Sequence, residues 1–287
     1  MDDPTEVVRA RVEAIRGAIR QMGRVGGGDV AESFVVDLRD GTRLFAKTHR
    51  DPPPDFFDTE ARSLTWLGEP GVVPVPQVLA VRDDVLILEW IPEGDGPPDE
   101  ARFGSALAAL HRAGAPTFGR DDHRTTGSRR LPNEPSATWA EFFARNRLLP
   151  LAGLARDTGS LAGEVIDRLE TIAGRLDQLG VPDEPPARLH GDLWAGNRLV
   201  DRIGDSWLID PAAHGGHREF DLAMMLLFGG FGRACFDAYH AAHPLAPGWR
   251  DRVPLHQLAP LAVHAIKFGG GYGAATARAL DAAEHLG

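Results

Sequence analysis

The segment "LHGDLWAGNRLV", residues 189–200, places an aspartate and an asparagine five positions apart, each directly after a glycine. Asp192 offers a carboxylate and Asn197 a carboxamide, which are side chains that accept protons or bind hard cations. Gly-Asp and Gly-Asn pairs are also ordinary turn formers, whose side chains bond to nearby backbone. The surrounding sequence has to distinguish a turn from a chemical site.

A second acid, Asp210, follows a predicted hairpin. The run "NRLVDRIGDSWLIDP" predicts strands near 198–201 and 206–209. Because antiparallel strands bring the two ends of a hairpin to the same side, we expect Asn197 and Asp210 to lie close together. Asp192 lies in the loop that leads into the hairpin.

These three side chains suit phosphoryl transfer. Asp192 would accept the proton of an attacking hydroxyl, while Asn197 and Asp210 would hold Mg²⁺ at the phosphates of ATP. The D-x-x-x-x-N spacing equals that of the protein-kinase catalytic loop.

The N-terminal part of the chain offers groups that could bind phosphate. Gly26, Gly27 and Gly28 predict a turn whose backbone can approach phosphates closely. Only two of the 31 basic residues are lysines, and we interpret Lys47, at the end of a predicted strand, as a phosphate ligand rather than a solvated surface lysine. Glu60, on the next predicted helix, would hold its ammonium, although helix surfaces carry acids by default.

Hydrophobic periodicity predicts a strand-rich part, a linker and a helical part. The linker is "PEGDGPPDE", residues 92–100. We therefore predict an α+β fold with an N-terminal nucleotide-binding lobe, residues 1–91, and a C-terminal catalytic and substrate-binding lobe, residues 92–287. The helices are expected over 4–22, 55–67, 99–113, 160–179, 220–242 and 251–285, and the N-terminal strands near 32–38, 43–48 and in two segments before residue 91.

Composition limits the class of protein. A formal net charge of −10 argues against nucleic acid or an anionic membrane as a partner. One cysteine suits a reducing compartment, and an acidic N-terminus without a long apolar run predicts a cytoplasmic location. The eleven histidines show no spacing typical of a zinc site.

Four stretches resemble one enzyme family. They are "GGGDVAESFVVDLRDGTRLFAK", "HGDLWAGN", "IDPAAHGGHREFDLAMMLLFGGF" and "FGGGY". Together they resemble the fructosamine (ketosamine-3-) kinases, which belong to the kinase-like superfamily that also holds the aminoglycoside phosphotransferases. The resemblance implies a two-lobed protein-kinase-like fold, ATP and Mg²⁺ as cofactors, and a ketosamine acceptor, either a small molecule or a glycated protein lysine, with deglycation as the consequence.

The resemblance also assigns roles to matching positions. It implies that Asp192 is the base, Asn197 and Asp210 are the metal ligands, Lys47 with Glu60 forms the phosphate clamp, and Glu89, Trp90 and Ile91 form a hinge whose backbone bonds adenine.

Other polar and aromatic residues near these motifs have open roles. Trp194 is expected to stack on substrate rather than to pack in a core. His217 and Arg218 either orient substrate or brace the loop. Asp221 either caps the helix that follows it or anchors the catalytic loop, and His190 is expected to orient that loop by hydrogen bonding.

Some positions depart from the family pattern. Ala213 and His214 replace aromatic residues, and Lys267 replaces a residue that is often histidine. We expect these positions to line the substrate side, so they bear on the acceptor more than on the chemistry. Asp29 stands where some relatives carry a redox-active cysteine.

Two other functions compete with a ketosamine kinase. An aminoglycoside- or choline-type phosphotransferase would need a cluster of acids for a cationic acceptor. A catalytically inactive nucleotide-binding or scaffold protein would have lost Asp192, Asn197 or Asp210, and all three are present. The oligomeric state is not predicted by the sequence.

Overall fold

The computed structural model describes residues 3–26, 31–121, 125–126 and 131–286. Gly27, Gly28 and Asp29 lie outside the described residues. In chain order the elements are α1 (Pro4–Arg16), β1 (Ile19–Val25), β2 (Glu32–Leu38), β3 (Arg43–Thr48), α2 (Phe56–Gly68), β4 (Val78–Arg82), β5 (Val85–Glu89), α3 (Glu100–Ala113), β6 (Thr125–Thr126), β7 (Leu131–Pro132), α4 (Trp139–Phe143), α5 (Leu149–Thr158), α6 (Gly163–Ala173), β8 (Ala187–Leu189), β9 (Arg198–Val200), β10 (Ser206–Leu208), β11 (His214–Gly216), α7 (Glu219–Phe228), α8 (Arg233–Ala242), α9 (Trp249–Phe268) and α10 (Tyr272–Ala283).

The chain divides into two compact units. The first contains residues 1–99 together with 198–211, and the second contains residues 100–197 together with 212–287. The β9–β10 hairpin thus groups with the first unit, whereas the predicted lobe boundary at residue 91 placed it in the second. The assignment of residues 1–91 to nucleotide binding and of residues 92–287 to catalysis and substrate binding stays a prediction.

The first unit is built on a five-stranded antiparallel sheet in the order β1-β2-β3-β5-β4. Strand β5 reads "VLILE", and its apolar side chains are buried on both faces of the sheet. Val85 and Ile87 pack with the buried side of α1, and Leu86 and Leu88 pack with α2. A continuous apolar run is what a strand covered on both faces requires.

The predicted strands near 32–38 and 43–48 are confirmed by β2 and β3. The opening helix is shorter than predicted, because it ends at Arg16 and not near residue 22. Gly17 follows with a φ of 111°, in the region that favours glycine. Ile19 and Met22 then lie on β1, so their helix-like spacing was a chance match.

The second unit is mainly helical, with one large core formed by α4 to α7, α9 and α10. The two final helical regions of the prediction are four helices, interrupted by the glycine-rich segments 229–232 and 269–271. A helical stretch over 139–158, which includes a π-helical turn at Ala144–Leu148, was not predicted. The short strands β8 and β11 pair antiparallel and were also missed.

The mixture of an antiparallel sheet and helices confirms the predicted α+β class. Within the part of the chain that the structure describes, no helix has both the length and the apolar character needed to span a membrane.

Candidate active site

Asp221 anchors the loop that carries Asp192. Its buried carboxylate accepts hydrogen bonds from the backbone N–H groups of His190, at 2.8 Å, and Gly191, at 2.9 Å. His111 donates from Nε2 to the same carboxylate at 3.3 Å. Burial raises the pKa of Asp221, but the bond from His111 outweighs it and holds the pKa below its usual range. Since Arg218 is the N-cap residue of α7, Asp221 is the loop anchor and not the cap.

The loop turns sharply at Gly191, whose φ is 80°. A Cβ at this position would collide with the carbonyl oxygen of Ala212, so the close approach of the two segments requires glycine. The backbone N–H of Asp192 donates to Nδ1 of His190 at 3.2 Å, which confirms the predicted orienting role of that histidine.

Asp192 and Asn197 are in direct contact within the second unit. Nδ2 of Asn197 donates to the backbone carbonyl of Asp192 at 2.9 Å and to its Oδ2 at 3.2 Å. Because the amide nitrogen makes these bonds, the amide oxygen is the atom with which Asn197 would bind a cation. The short helical turn Ala195–Asn197 brings the side chain of Asn197 back to Asp192, five positions earlier in the chain.

In the first unit, Lys47 joins two carboxylates. Its Nζ lies 2.8 Å from Oε1 of Glu60 and also contacts Oδ1 of Asp210. Lys47 lies on β3, Glu60 on α2, and Asp210 directly follows the β9–β10 hairpin. Asp210 has a φ of 52°, an uncommon value for a residue with a side chain and one that is enriched at functional sites.

Burial and charge act in opposite directions on this triad. Burial lowers the pKa of Lys47, but the carboxylates of Glu60 and Asp210 outweigh it and raise the pKa above its usual value, so the ammonium stays charged. The pKa of Glu60 is raised to about 7, first by burial and then by the Asp210 carboxylate, while Lys47 opposes the increase.

Asp201 organises the turn of the β9–β10 hairpin and was not predicted. Its Oδ1 accepts from the backbone N–H groups of Ile203, at 3.0 Å, and Asp205, at 2.9 Å. Its Oδ2 accepts from Nε1 of Trp207 at 3.0 Å. An aspartate that begins a predicted turn is the signal that could have indicated this role.

The predicted hinge follows the end of β5. Glu89 donates its backbone N–H to the carbonyl of Gln77 at 2.9 Å, and its Oε2 accepts from the N–H of Gln77 at 3.2 Å. Ile91 is buried. Of the predicted glycine turn, Gly26 is described at the end of β1. The roles of these residues in binding adenine and phosphate stay predictions.

His217 and Arg218 are both buried. The guanidinium of Arg218 forms a two-pronged ion pair with Glu184 at 2.6 and 2.7 Å, and it donates to the carbonyls of His243 and Pro244. This set of partners is typical of a brace between chain segments. The substrate role of the two residues stays a prediction.

His217, Glu219 and His256 form a buried cluster that the histidine spacing did not indicate. Each offers a possible metal-ligand atom, and these atoms lie within 4.8 Å of one another. Arg252 donates to both oxygens of Glu219, at 2.9 and 2.5 Å. Because this guanidinium already neutralises the carboxylate, we interpret the cluster as a structural ion-pair network and assign it no metal.

Trp194 is 41% exposed, so it is not a core residue. Ala213 and His214 are both buried, and their place on the substrate side stays a prediction. His214 donates from Nδ1 to the carbonyl of Ala212 at 2.9 Å and stacks on Phe142. Its replacement of an aromatic residue is therefore a matter of packing.

Buried neutral histidines make the protein sensitive to mild acid. Burial lowers the pKa of His214 to about 3 and of His217 to about 4. In the unfolded chain both titrate near pH 6.5, so between pH 6.5 and these values the unfolded state binds more protons. We expect these two histidines to lower the free energy of unfolding by on the order of 2–4 kcal/mol between pH 7.5 and 5.0, whereas Glu60, whose pKa is raised, acts in the opposite direction over the same range.

Urea unfolding at the two pH values measures this change. The stability of His217→Phe relative to the wild type should rise by on the order of 1–2 kcal/mol from pH 7.5 to 5.0, because one of the two histidines no longer titrates. A stability difference between the two proteins that is equal at both pH values would contradict the burial of a neutral His217.

The comparison with known sequences covers nearly the whole chain. A profile described as fructosamine kinase matches residues 5–285. A Lactiplantibacillus plantarum protein named probable ketoamine kinase is 36% identical over 271 residues, 91% of this chain and 94% of that protein. The Arabidopsis thaliana protein named protein-ribulosamine 3-kinase, chloroplastic, is 30% identical over 275 residues, 92% of this chain and 82% of that protein.

Solved structures agree with the sequence comparison. A crystal structure from Thermobifida fusca, named for fructosamine-3-kinase, superposes with a TM-score of 0.90 at 42% identity, covering 97% of this chain and 99% of that one. A choline kinase from Streptococcus pneumoniae superposes with a TM-score of 0.68 at 14% identity, covering 98% of each chain, which shows a shared fold alone. The predicted protein-kinase-like fold is confirmed.

Proposed function

Because the chain belongs to the fructosamine kinase family, we propose that it is an ATP-dependent kinase that phosphorylates the sugar part of ketosamines. The structural observation that supports this chemistry is that the ammonium of Lys47 contacts the carboxylates of both Glu60 and Asp210. A buried ammonium held by a helix carboxylate is the phosphate-binding arrangement of protein-kinase-like enzymes. The aminoglycoside- or choline-type alternative is not favoured, because the named relatives are ketoamine and ribulosamine kinases.

The donor set fits ATP with Mg²⁺. Lys47 is a charged donor suited to phosphate oxygens, and the carboxylate of Asp210 and the amide oxygen of Asn197 are the hard ligands that Mg²⁺ prefers. When bound, Mg²⁺ would neutralise charge on the phosphates. The backbone of Glu89 and Ile91 is assigned to adenine, and Gly26, Gly27 and Gly28 to the phosphates, by family resemblance.

Asp192 is assigned the proton transfer. Its carboxylate would take the proton of the sugar hydroxyl as the hydroxyl oxygen bonds to the γ-phosphorus and ADP leaves. The hydrogen bonds from Asn197 and the anchor at Asp221 support this role, since they hold the loop before substrate arrives. Trp194 would lie against the sugar.

The biological consequence is proposed to be deglycation of small-molecule ketosamines or of glycated protein lysines. We place the protein in the cytoplasm, supported by its single cysteine, Cys235, which is buried. The phosphorylation that would precede loss of the sugar needs ATP, which the cytoplasm holds.

A phosphorylation screen over ribulosamine, fructosamine, aminoglycoside and choline acceptors tests the proposal. Phosphate should be transferred from ATP to the two ketosamines, and the product should lose its sugar faster than the unphosphorylated ketosamine does. Transfer to an aminoglycoside or to choline, with none to a ketosamine, would overturn the assignment.

Removal of either proposed metal ligand should weaken binding of the nucleotide in the presence of magnesium. Asp210→Ala and Asn197→Ala each delete one oxygen from a cation that keeps few protein ligands. Nucleotide titrations with and without Mg²⁺ should show the loss only when the metal is present. An Asp210→Ala protein that binds MgATP like the wild type would contradict the role of that carboxylate.

A further inference from the structure

Five aromatic rings form a continuous surface in the second unit, here called the aromatic strip: Trp194, Phe228, His264, Phe268 and Tyr272. The ring centroids of Trp194 and Phe228 are 6.2 Å apart, and those of Phe228 and His264 are 4.8 Å apart. His264 continues to Phe268 at 5.4 Å and to Tyr272 at 5.0 Å. The strip therefore runs from the loop of Asp192 to the start of α10.

The strip is formed where helices end. Phe228 is the last residue of α7 and Phe268 is the last residue of α9, and a glycine with positive φ follows each of them. Tyr272 begins α10 after three glycines. The motifs "LFGGF" and "FGGGY" thus place aromatic side chains at helix termini, where glycine allows the chain to turn away.

Glycines also let the catalytic loop approach the strip. A Cβ at Gly230 would collide with the Cβ of Ala195. A Cβ at Gly196 would collide with the indole ring of Trp194, so the ring lies directly over that glycine. The position of Trp194 is therefore held by its own loop on one side and by the end of α7 on the other.

The strip is only partly covered. Phe268 is 51% exposed and Trp194 is 41% exposed, while the other three rings are half-buried. Exposed aromatic side chains that adjoin one another mark surfaces for apolar ligands more often than isolated ones do.

The far end of the strip already holds an ammonium. Nζ of Lys267 lies 4.8 Å from the ring centroid of Phe268. The positive charge at this end disfavours a cationic substituent and leaves the ring faces for an apolar one.

We propose that the part of the aromatic strip beyond Trp194 binds the substituent on the ketosamine nitrogen and selects apolar aliphatic or aromatic substituents. The inference rests on the proposed function, because the sugar must reach Asp192. The nitrogen of a ketosamine is bonded to the terminal carbon of the sugar. When the sugar lies against Trp194, the nitrogen substituent would therefore extend over the neighbouring rings of Phe228, His264 and Phe268. Successive separations of 6.2, 4.8 and 5.4 Å provide a path for a chain of several carbons.

Ketosamines with one sugar and different nitrogen substituents test the inference. For the wild type, kcat/KM should be about tenfold higher with a decyl or 4-phenylbutyl substituent, which is long enough to reach Phe268, than with methyl, a factor that corresponds to about 1.4 kcal/mol. Phe268→Ala should remove most of this preference through KM, with kcat and the methyl ketosamine little changed. Phe268→Leu should retain part of the preference, because an apolar side chain is kept.

Two control variants separate the strip from general effects. Leu149→Ala removes an apolar side chain that is 42% exposed on another helix, and it should leave the preference unchanged. Trp194→Ala should raise KM for all three ketosamines together, because its ring would contact the part that they share.

Each of the remaining outcomes would contradict the inference about the aromatic strip. Equal use of the three ketosamines by the wild type, or an equal loss for all three in Phe268→Ala, would overturn the inference while leaving the proposed function intact. A concentration-dependent dimer that Phe268→Ala dissociates would assign the strip to a second copy of the chain and overturn it also. Phosphorylation of none of the three would overturn the proposed function, and the inference with it.

Discussion

Asp192→Asn should lower kcat by roughly 10²–10⁴-fold, which is the usual contribution of a general base. The amide has nearly the shape of the carboxylate, and its oxygen can still accept the hydrogen bond from Nδ2 of Asn197, so the loop should keep its conformation. What is lost is the capacity to take the proton of the acceptor hydroxyl. Affinity for MgATP should therefore stay close to that of the wild type.

Steady-state kinetics and nucleotide titrations on the same preparation measure both properties. Asp157→Asn, an exposed acid at the end of α5, is the matched control and should retain full activity. Unchanged kcat in Asp192→Asn would remove that residue from catalysis. Loss of nucleotide binding together with activity would indicate a collapsed loop instead of a missing base.

Lys47→Met should lower kcat/KM for ATP by roughly 10- to 150-fold, because a hydrogen bond to a charged group contributes about 1.5–3 kcal/mol. Both KM for ATP and kcat should change, since the ammonium would bind phosphate and stabilise the charge that moves during transfer. Methionine has similar length and no charge. It also leaves Glu60 and Asp210 without the cation between them, so Glu60 should take up a proton more readily.

Kinetics at varied ATP concentration, with the ketosamine saturating, resolve the two effects. Arg62→Met is the control, because Arg62 lies on the same helix as Glu60 and forms an exposed ion pair with Asp58. Exposed pairs contribute little, so this variant should behave like the wild type. A Lys47→Met enzyme with normal kinetics would make Lys47 a structural partner of the two acids.

Strands β2 to β5 and helix α2 of the first unit were predictable because their signals are local. The Asp40–Gly41 turn, the alternation in β2 and β3 and the apolar face of α2 each lie within a few residues of sequence. The predicted end of the first helix was wrong because that prediction also relied on a local pattern alone. Apolar residues at helical spacing continued past Gly17, and only the pairing of β1 with β2 decided that Ile19 and Met22 belong to a strand.

The sequence by itself determined the chemistry of the candidate site. Residue types and the five-residue spacing were enough to predict Asp192 and Asn197 as a pair, because one short loop holds both. The scarcity of lysine was enough to single out Lys47. These inferences depend on side-chain chemistry and on short separations along the chain, which are visible in a single sequence.

Only the tertiary structure decided which partners these residues have. Lys47 contacts Asp210 from 163 positions away, and Arg218 pairs with Glu184 across 34 positions. Trp194 contacts Phe228 because α7 ends beside the loop of Asp192, and no spacing between the two residues indicates this. Contacts between distant segments follow from how the elements pack, and packing depends on the summed burial of many side chains, which no local pattern of residues contains.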